Sequence, residues 1–165
     1  MDATHSQAKA KKLTFAHIVK QHPRIHFVSD TMFRWDPEAN TVTYPKGALQ
    51  NEQFYYSLFH EIGHAELLHN NFTSDLELLK MERSAWDKAS TVANTFGIEI
   101  AGDHVETCMD TYRDWLYARS LCPNCKQCGI QTAKTQYSCA FCGGHWKVNV
   151  SRLCRVTRTT IKKSP

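Results

Sequence analysis

No run of 18 apolar residues occurs in the chain, so no part of it is expected to cross a membrane as a helix. Neither sign of charge is in great excess. The formal net charge of +4 permits contact with nucleic acid without arguing for it. The first twelve residues, MDATHSQAKAKK, carry lysines with no apolar stretch behind them. A secretory signal is therefore not expected there, and the segment reads as a disordered basic tail over residues 1–12. An even set of cysteines for a disulfide framework is also missing. There are seven, two C-x-x-C units among them, and with no secretion signal this points to metal binding in a reducing compartment. The expectation is a cytoplasmic protein with no membrane partner. Its 165 residues suffice for one compact domain and a small appendage, and 42% hydrophobic against 22% charged is an ordinary globular balance.

What the chain does have is His60-Glu61-Ile62-Gly63-His64, an HExxH motif inside FYYSLFHEIGHAELLH. Phe54, Leu58, Ile62, Ala65 and Leu68 recur at helical spacing, so Phe54 to His69 reads as a helix. Residues four apart on a helix share a face, which lets His60 and His64 point two imidazoles at one metal ion. Glu61 lies about 100° around the helix from His60, beside the open coordination position. Zinc with three protein ligands and a water matches that layout, with the ion acidifying the water and Glu61 as the catalytic base. The chemistry is that of peptide-bond hydrolysis. Gly63 costs about 1 kcal/mol of helix propensity relative to alanine, as expected where another element comes close.

Around the motif the chain reads as α+β. Thr14 caps a short helix ended by Pro23. Ile25 to Trp35 reads as one strand, and Thr41 to Tyr44 as its hairpin partner across the turn Asp36-Pro37-Glu38-Ala39-Asn40. An edge of that hairpin beside the metal helix would either cradle an extended peptide or simply pack the helix. Leu76 to Phe96 forms the next helix, stopped by Gly97. Asp103 and Glu106 fit a capping box opening a third helix that runs to about Arg119.

Zinc needs a third protein ligand. His69, five residues after His64, falls about 140° away on a continuing helix and suits a helix C-terminal charge instead. Glu82 is the better candidate, with the small Ala85 and Ala89 on its face to let two helices approach; Glu77 is the alternative. Tyr55, Tyr56, His104 and Tyr112 each offer a polar group near the metal, and nothing in the sequence chooses among them.

HEIGHAELLH followed by Glu82-Arg83-Ser84-Ala85 and then Ala89 resembles the ImmA/IrrE family of HExxH metallopeptidases over roughly residues 13 to 97. The resemblance implies a zincin-like fold of helices against a small sheet. It implies His60, His64 and Glu82 as ligands of a catalytic zinc, Glu61 as general base, and a regulatory protein as substrate. Trp86 stands where that family often has an acidic or amide residue. The layout also resembles SprT-like proteases, whose downstream ligand pattern is not evident here.

Cys122-Pro-Asn-Cys125 and Cys139-Ala-Phe-Cys142 are two knuckles at the spacing of a zinc ribbon, four thiolates around a structural zinc. Cys125-Lys-Gln-Cys128 is a competing knuckle, so Cys128 is the alternate to Cys122, and His145 is a spare. The expected organisation is a metallopeptidase domain over 13–120, a ribbon over 121–150, and a basic C-terminal tail over 151–165. Lysines and arginines concentrate toward this end and admit nucleic-acid contact; a structural clip or a docking surface for a protein substrate fits equally.

Overall fold

The computed structural model describes residues 13–48 and 51–161. The expected disordered tail at 1–12 and the last four residues of the basic end lie outside the described residues. The order of elements is α1 (Phe15–Gln21), β1 (His26–Asp30), β2 (Arg34–Asp36), β3 (Thr41–Pro45), α2 (Glu52–Glu66), α3 (Asp75–Thr95), α4 (Gly102–Ser120), β4 (Ile130–Ala133), β5 (Gln136–Ser138), β6 (His145–Val148) and β7 (Arg158–Ile161). The class is α+β, as expected. Among the described residues no helix is long and apolar enough to cross a membrane.

The first sheet has the order β1-β3-β2, with β1 parallel and β2 antiparallel to β3. The single strand expected over Ile25–Trp35 is therefore two. The break falls at residues 31–33, just after β1, where the Asp30 side chain accepts the Thr31 N–H at 2.8 Å, an alternative to ladder pairing. Only the second piece makes the hairpin with β3. In its turn, Asp36 Oδ1 accepts from the backbone N–H groups of Glu38 and Ala39.

Asn51 caps α2 by accepting the Phe54 N–H at 2.9 Å. The helix ends at Glu66, not at His69, because Leu68 adopts a left-handed φ of 53°. The His69 N–H then bonds the His64 carbonyl and the Leu68 N–H that of Ala65, a Schellman motif. The end of α3 repeats this design with Gly97 at φ 72°, the residue type that position favours. The capping box expected at Asp103 and Glu106 does not form. The cap of α4 is Ala101, which has no side-chain bond, and Glu106 instead pairs with Arg83 and Arg113.

The larger core gathers Ile18, Val42, Leu58, Phe59, Ile62 and Trp86 between the first sheet, α1, α2 and α3. The smaller one, Cys122, Tyr137, Cys139, Trp146 and Val148, lies within the second sheet, ordered β4-β5-β6-β7 and antiparallel throughout. That sheet runs past residue 150: Arg158–Ile161, expected in a loose basic tail, pairs with β6 as a strand.

The two cores meet at Arg119, which is 1% exposed. It pairs with Asp75 at the start of α3, donates to the Tyr137 hydroxyl, and donates to the carbonyls of Lys134 and Asn149. Its own carbonyl accepts the Trp146 indole N–H at 2.9 Å.

Candidate metal centre

One turn of α2 separates His60 from His64, and both are buried with Glu82 of α3. His60 Nε2 lies 3.1 Å from Glu82 Oε2 and 3.2 Å from His64 Nε2; the third edge, His64 Nε2 to Glu82 Oε2, is 3.4 Å. Donors about 2.0–2.1 Å from one zinc at tetrahedral angles stand about 3.3–3.4 Å apart, so this triangle fits such an ion. Burial opposes the charge of Glu82, but bonds from His60 and His64 outweigh it and hold its carboxyl well below the usual range. The three can hold a metal ion. Glu77, the alternative, is spent elsewhere: its carboxylate accepts from the Thr73 N–H and hydroxyl, both at 2.6 Å, at the exposed start of α3.

Glu61 faces the same side. Its Oε2 accepts the Trp35 backbone N–H at 2.7 Å, so the edge strand β2 orients the carboxylate. Burial pushes the Glu61 carboxyl above its usual range, against the pull of His60 and His64. These groups open on a cleft of about 380 Å³ whose wall includes Phe33, Phe72, Met81 and Tyr112.

Of the four polar candidates left open by the sequence, only Tyr112 lines this cleft. The Tyr56 hydroxyl is occupied by Glu52 and the Glu99 carbonyl, and His104 packs on Tyr56 and Trp86. Burial, then the Glu82 carboxylate, pushes the Tyr112 phenol far above its ordinary range, so it remains a neutral donor.

Supporting contacts fix the two imidazoles. His69 Nδ1 meets His64 Nδ1 at 2.9 Å, its Nε2 meets Ser84 Oγ at 3.3 Å, and its carbonyl accepts the Trp35 indole N–H at 2.8 Å. His69 is thus not a free cap on the helix dipole but the outer partner that turns His64 Nε2 inward. Trp86 stacks on His60 with ring centroids 4.2 Å apart. A Cβ on Gly63 would stand 2.3 Å from the Ala85 carbonyl oxygen, so glycine is what lets α2 and α3 approach.

Cys122, Cys125, Cys139 and Cys142 form a second group able to hold a metal ion. Cys122 Sγ and Cys142 Sγ are 3.6 Å apart, and Cys125 Sγ and Cys139 Sγ 3.5 Å, close to the roughly 3.8 Å separation of thiolates about one zinc. Burial opposes a Cys122 thiolate, but the backbone N–H groups of Cys125 and Asn124 outweigh it and bring the thiol to about 7. The alternate, Cys128, is exposed, and its backbone pairs with Leu121 in an isolated bridge; neither it nor His145 joins the group.

Compared with known family models, curated proteins and solved structures, the chain matches none. The site residues that sequence reasoning passed over are Trp35, whose contribution is a backbone N–H, and Arg152, which reaches the cleft from the cysteine-bearing sheet. Neither belongs to a motif.

Proposed function

We propose that the protein is a zinc-dependent metallopeptidase of the kind the ImmA/IrrE resemblance implies, with a zincin-like catalytic unit and a structural zinc ribbon. The observation that carries this reading is the triangle of His60, His64 and Glu82 beside an independently oriented Glu61 in one open cleft. A purely structural ion has no need of that fourth group. His60, His64 and Glu82 would hold the zinc, which when bound would supply Lewis acidity toward a water and a peptide carbonyl.

Glu61 takes the water's proton on the carboxylate oxygen that Trp35 leaves free and returns it to the departing amine. The Tyr112 hydroxyl offers a neutral donor to charge developing on the carbonyl oxygen. β2 is an edge strand, and its outward backbone groups other than the Trp35 N–H, which Glu61 holds, would pair with an extended peptide. The substrate is thus a protein or peptide in extended form. The nucleic-acid reading draws less support, since Lys126 and Arg158 direct donors to backbone carbonyls of their own chain.

The test is zinc content and cleavage of a mixed peptide library, read by mass spectrometry, on the full chain. Two zincs are expected in the wild type and one in His64→Ala. Glu61→Gln is expected to keep both and lose cleavage; hydrolysis retained in that variant would sink the mechanism.

A further inference from the structure

The loop between β6 and β7 is held as a rigid piece. Asn149 Oδ1 accepts the Thr157 N–H at 2.8 Å, and its Nδ2 donates to the carbonyls of Ser151 and Arg155. Its own carbonyl accepts from Arg119 Nη1 at 2.8 Å. The loop is therefore tied to the buried joint between the two cores. From that base it carries Arg152 and Leu153 into the wall of the metal cleft, with Arg152 beside Tyr112 of α4.

Arg152 lays its guanidinium on the face of Tyr112, 3.3 Å from the ring centroid. Stacking uses the π-face of a guanidinium and leaves its in-plane N–H fork available for a carboxylate. Among the described residues no hydrogen bond or ion pair takes that fork. Arg34, Arg83, Arg113 and Arg119 are by contrast each paired with a carboxylate.

The charges facing the cleft are Glu61, Glu82, Arg152 and Arg34, the last already paired with Asp36. A divalent ion at the histidine site would balance Glu61 and Glu82 and leave the charge of Arg152 uncompensated. Leu153, 83% exposed beside it, adds an apolar contact that no part of the described chain covers.

We propose that Arg152 is a specificity residue that binds a substrate carboxylate, so that the cleft selects peptides bearing an acidic side chain or a free C-terminus near the scissile bond. This rests on the metallopeptidase reading of the cleft. The two carboxylate sources present the same chemistry to the fork, and experiment separates them.

The test is binding of three peptidyl hydroxamates to the zinc-loaded full chain by calorimetry. One ends in glutamate amide, one in glutamine with a free carboxylate, and one in neutral glutamine amide. A charge-assisted pair implies that at least one acidic ligand binds about tenfold tighter than the neutral one. Which of the two does so names the source. Arg152→Gln is expected to abolish the preference between the acidic ligands and the neutral one. Equal affinity for all three in the wild type overturns the proposal alone, whether or not the variant folds, and so does a preference that survives in Arg152→Gln. Failure of every hydroxamate to bind overturns the metallopeptidase reading and this proposal with it.

Discussion

Gly63→Ala tests the geometry on which the site depends. The new Cβ would lie 2.3 Å from the Ala85 carbonyl oxygen and 3.1 Å from its carbonyl carbon, against about 3.4 Å for an ordinary contact. The shortfall is about 1 Å, and the obstacle is helix backbone, so no rotamer relieves it. The helices α2 and α3 must separate, and Glu82 travels with Ala85, one turn away on the same helix. The ligand triangle, with edges of 3.1–3.4 Å, opens until the carboxylate falls outside the roughly 2.0–2.2 Å reach of zinc. Alanine gains about 1 kcal/mol of helix propensity, and overpacking costs about 1–3 kcal/mol. A net loss of up to about 2 kcal/mol is expected, with zinc affinity at the histidine site down by about 100-fold. Competition with a chromophoric chelator measures the affinity, and thermal melting of the metal-free protein measures the stability. A variant that melts higher and binds zinc as well as the wild type would refute the close approach.

Three further outcomes are expected. Arg119→Ala leaves Asp75 buried without its partner and should cost about 3–5 kcal/mol in urea denaturation; a loss under about 1 kcal/mol would remove Arg119 as the joint between the cores. Leu68→Gly relieves a left-handed φ at an exposed side chain and should stabilise by about 0.5–1 kcal/mol in a thermal melt, whereas destabilisation would mean that the leucine side chain matters more than its backbone. His22 has its pKa lowered from 6.5 by burial, with Glu66 opposing. Below about pH 6.5 the unfolded chain then binds the proton more readily, so stability falls as pH drops through that value. Denaturation at pH 7 and pH 5 should show this loss reduced in His22→Gln, and an unchanged loss would exonerate His22.

The parts of the site legible in the sequence are those set by local geometry. A four-residue spacing on a helix places His60 and His64 together whatever surrounds them. Ala85 and Ala89 mark the face on which Glu82 lies, and C-x-x-C spacing marks the knuckles. Choosing Cys122 over Cys128 is harder, since both flank Cys125 at equal separation, and only the pairing of the Cys128 backbone with Leu121 turns that thiol out. His69 was hidden because helical periodicity continues through it. The reversal at Leu68 uses a conformation leucine seldom adopts, so no residue type announces it. The parallel β1–β3 pairing and the Trp35 N–H on Glu61 join segments by tertiary contact alone, which leaves no local signature.

The cysteine-bearing sheet changes meaning once Arg119 is considered. Read from spacing alone it is a separate ribbon appended to the catalytic unit, as a clip or as a docking surface. An appendage is joined by a linker that few contacts cross. Here a buried guanidinium instead binds Asp75 on one side and Tyr137, Lys134 and Asn149 on the other, and Trp146 closes the set through the Arg119 carbonyl. Asn149 in turn holds the loop that places Arg152 over Tyr112. The small sheet has little apolar core of its own, so a metal at its four cysteines would add to its stability. A metal held by the four cysteines would then steady the frame from which Arg152 is presented. On the proposed reading, selection of a peptide would belong to the cleft wall that carries Arg152, not to a tethered module beside it.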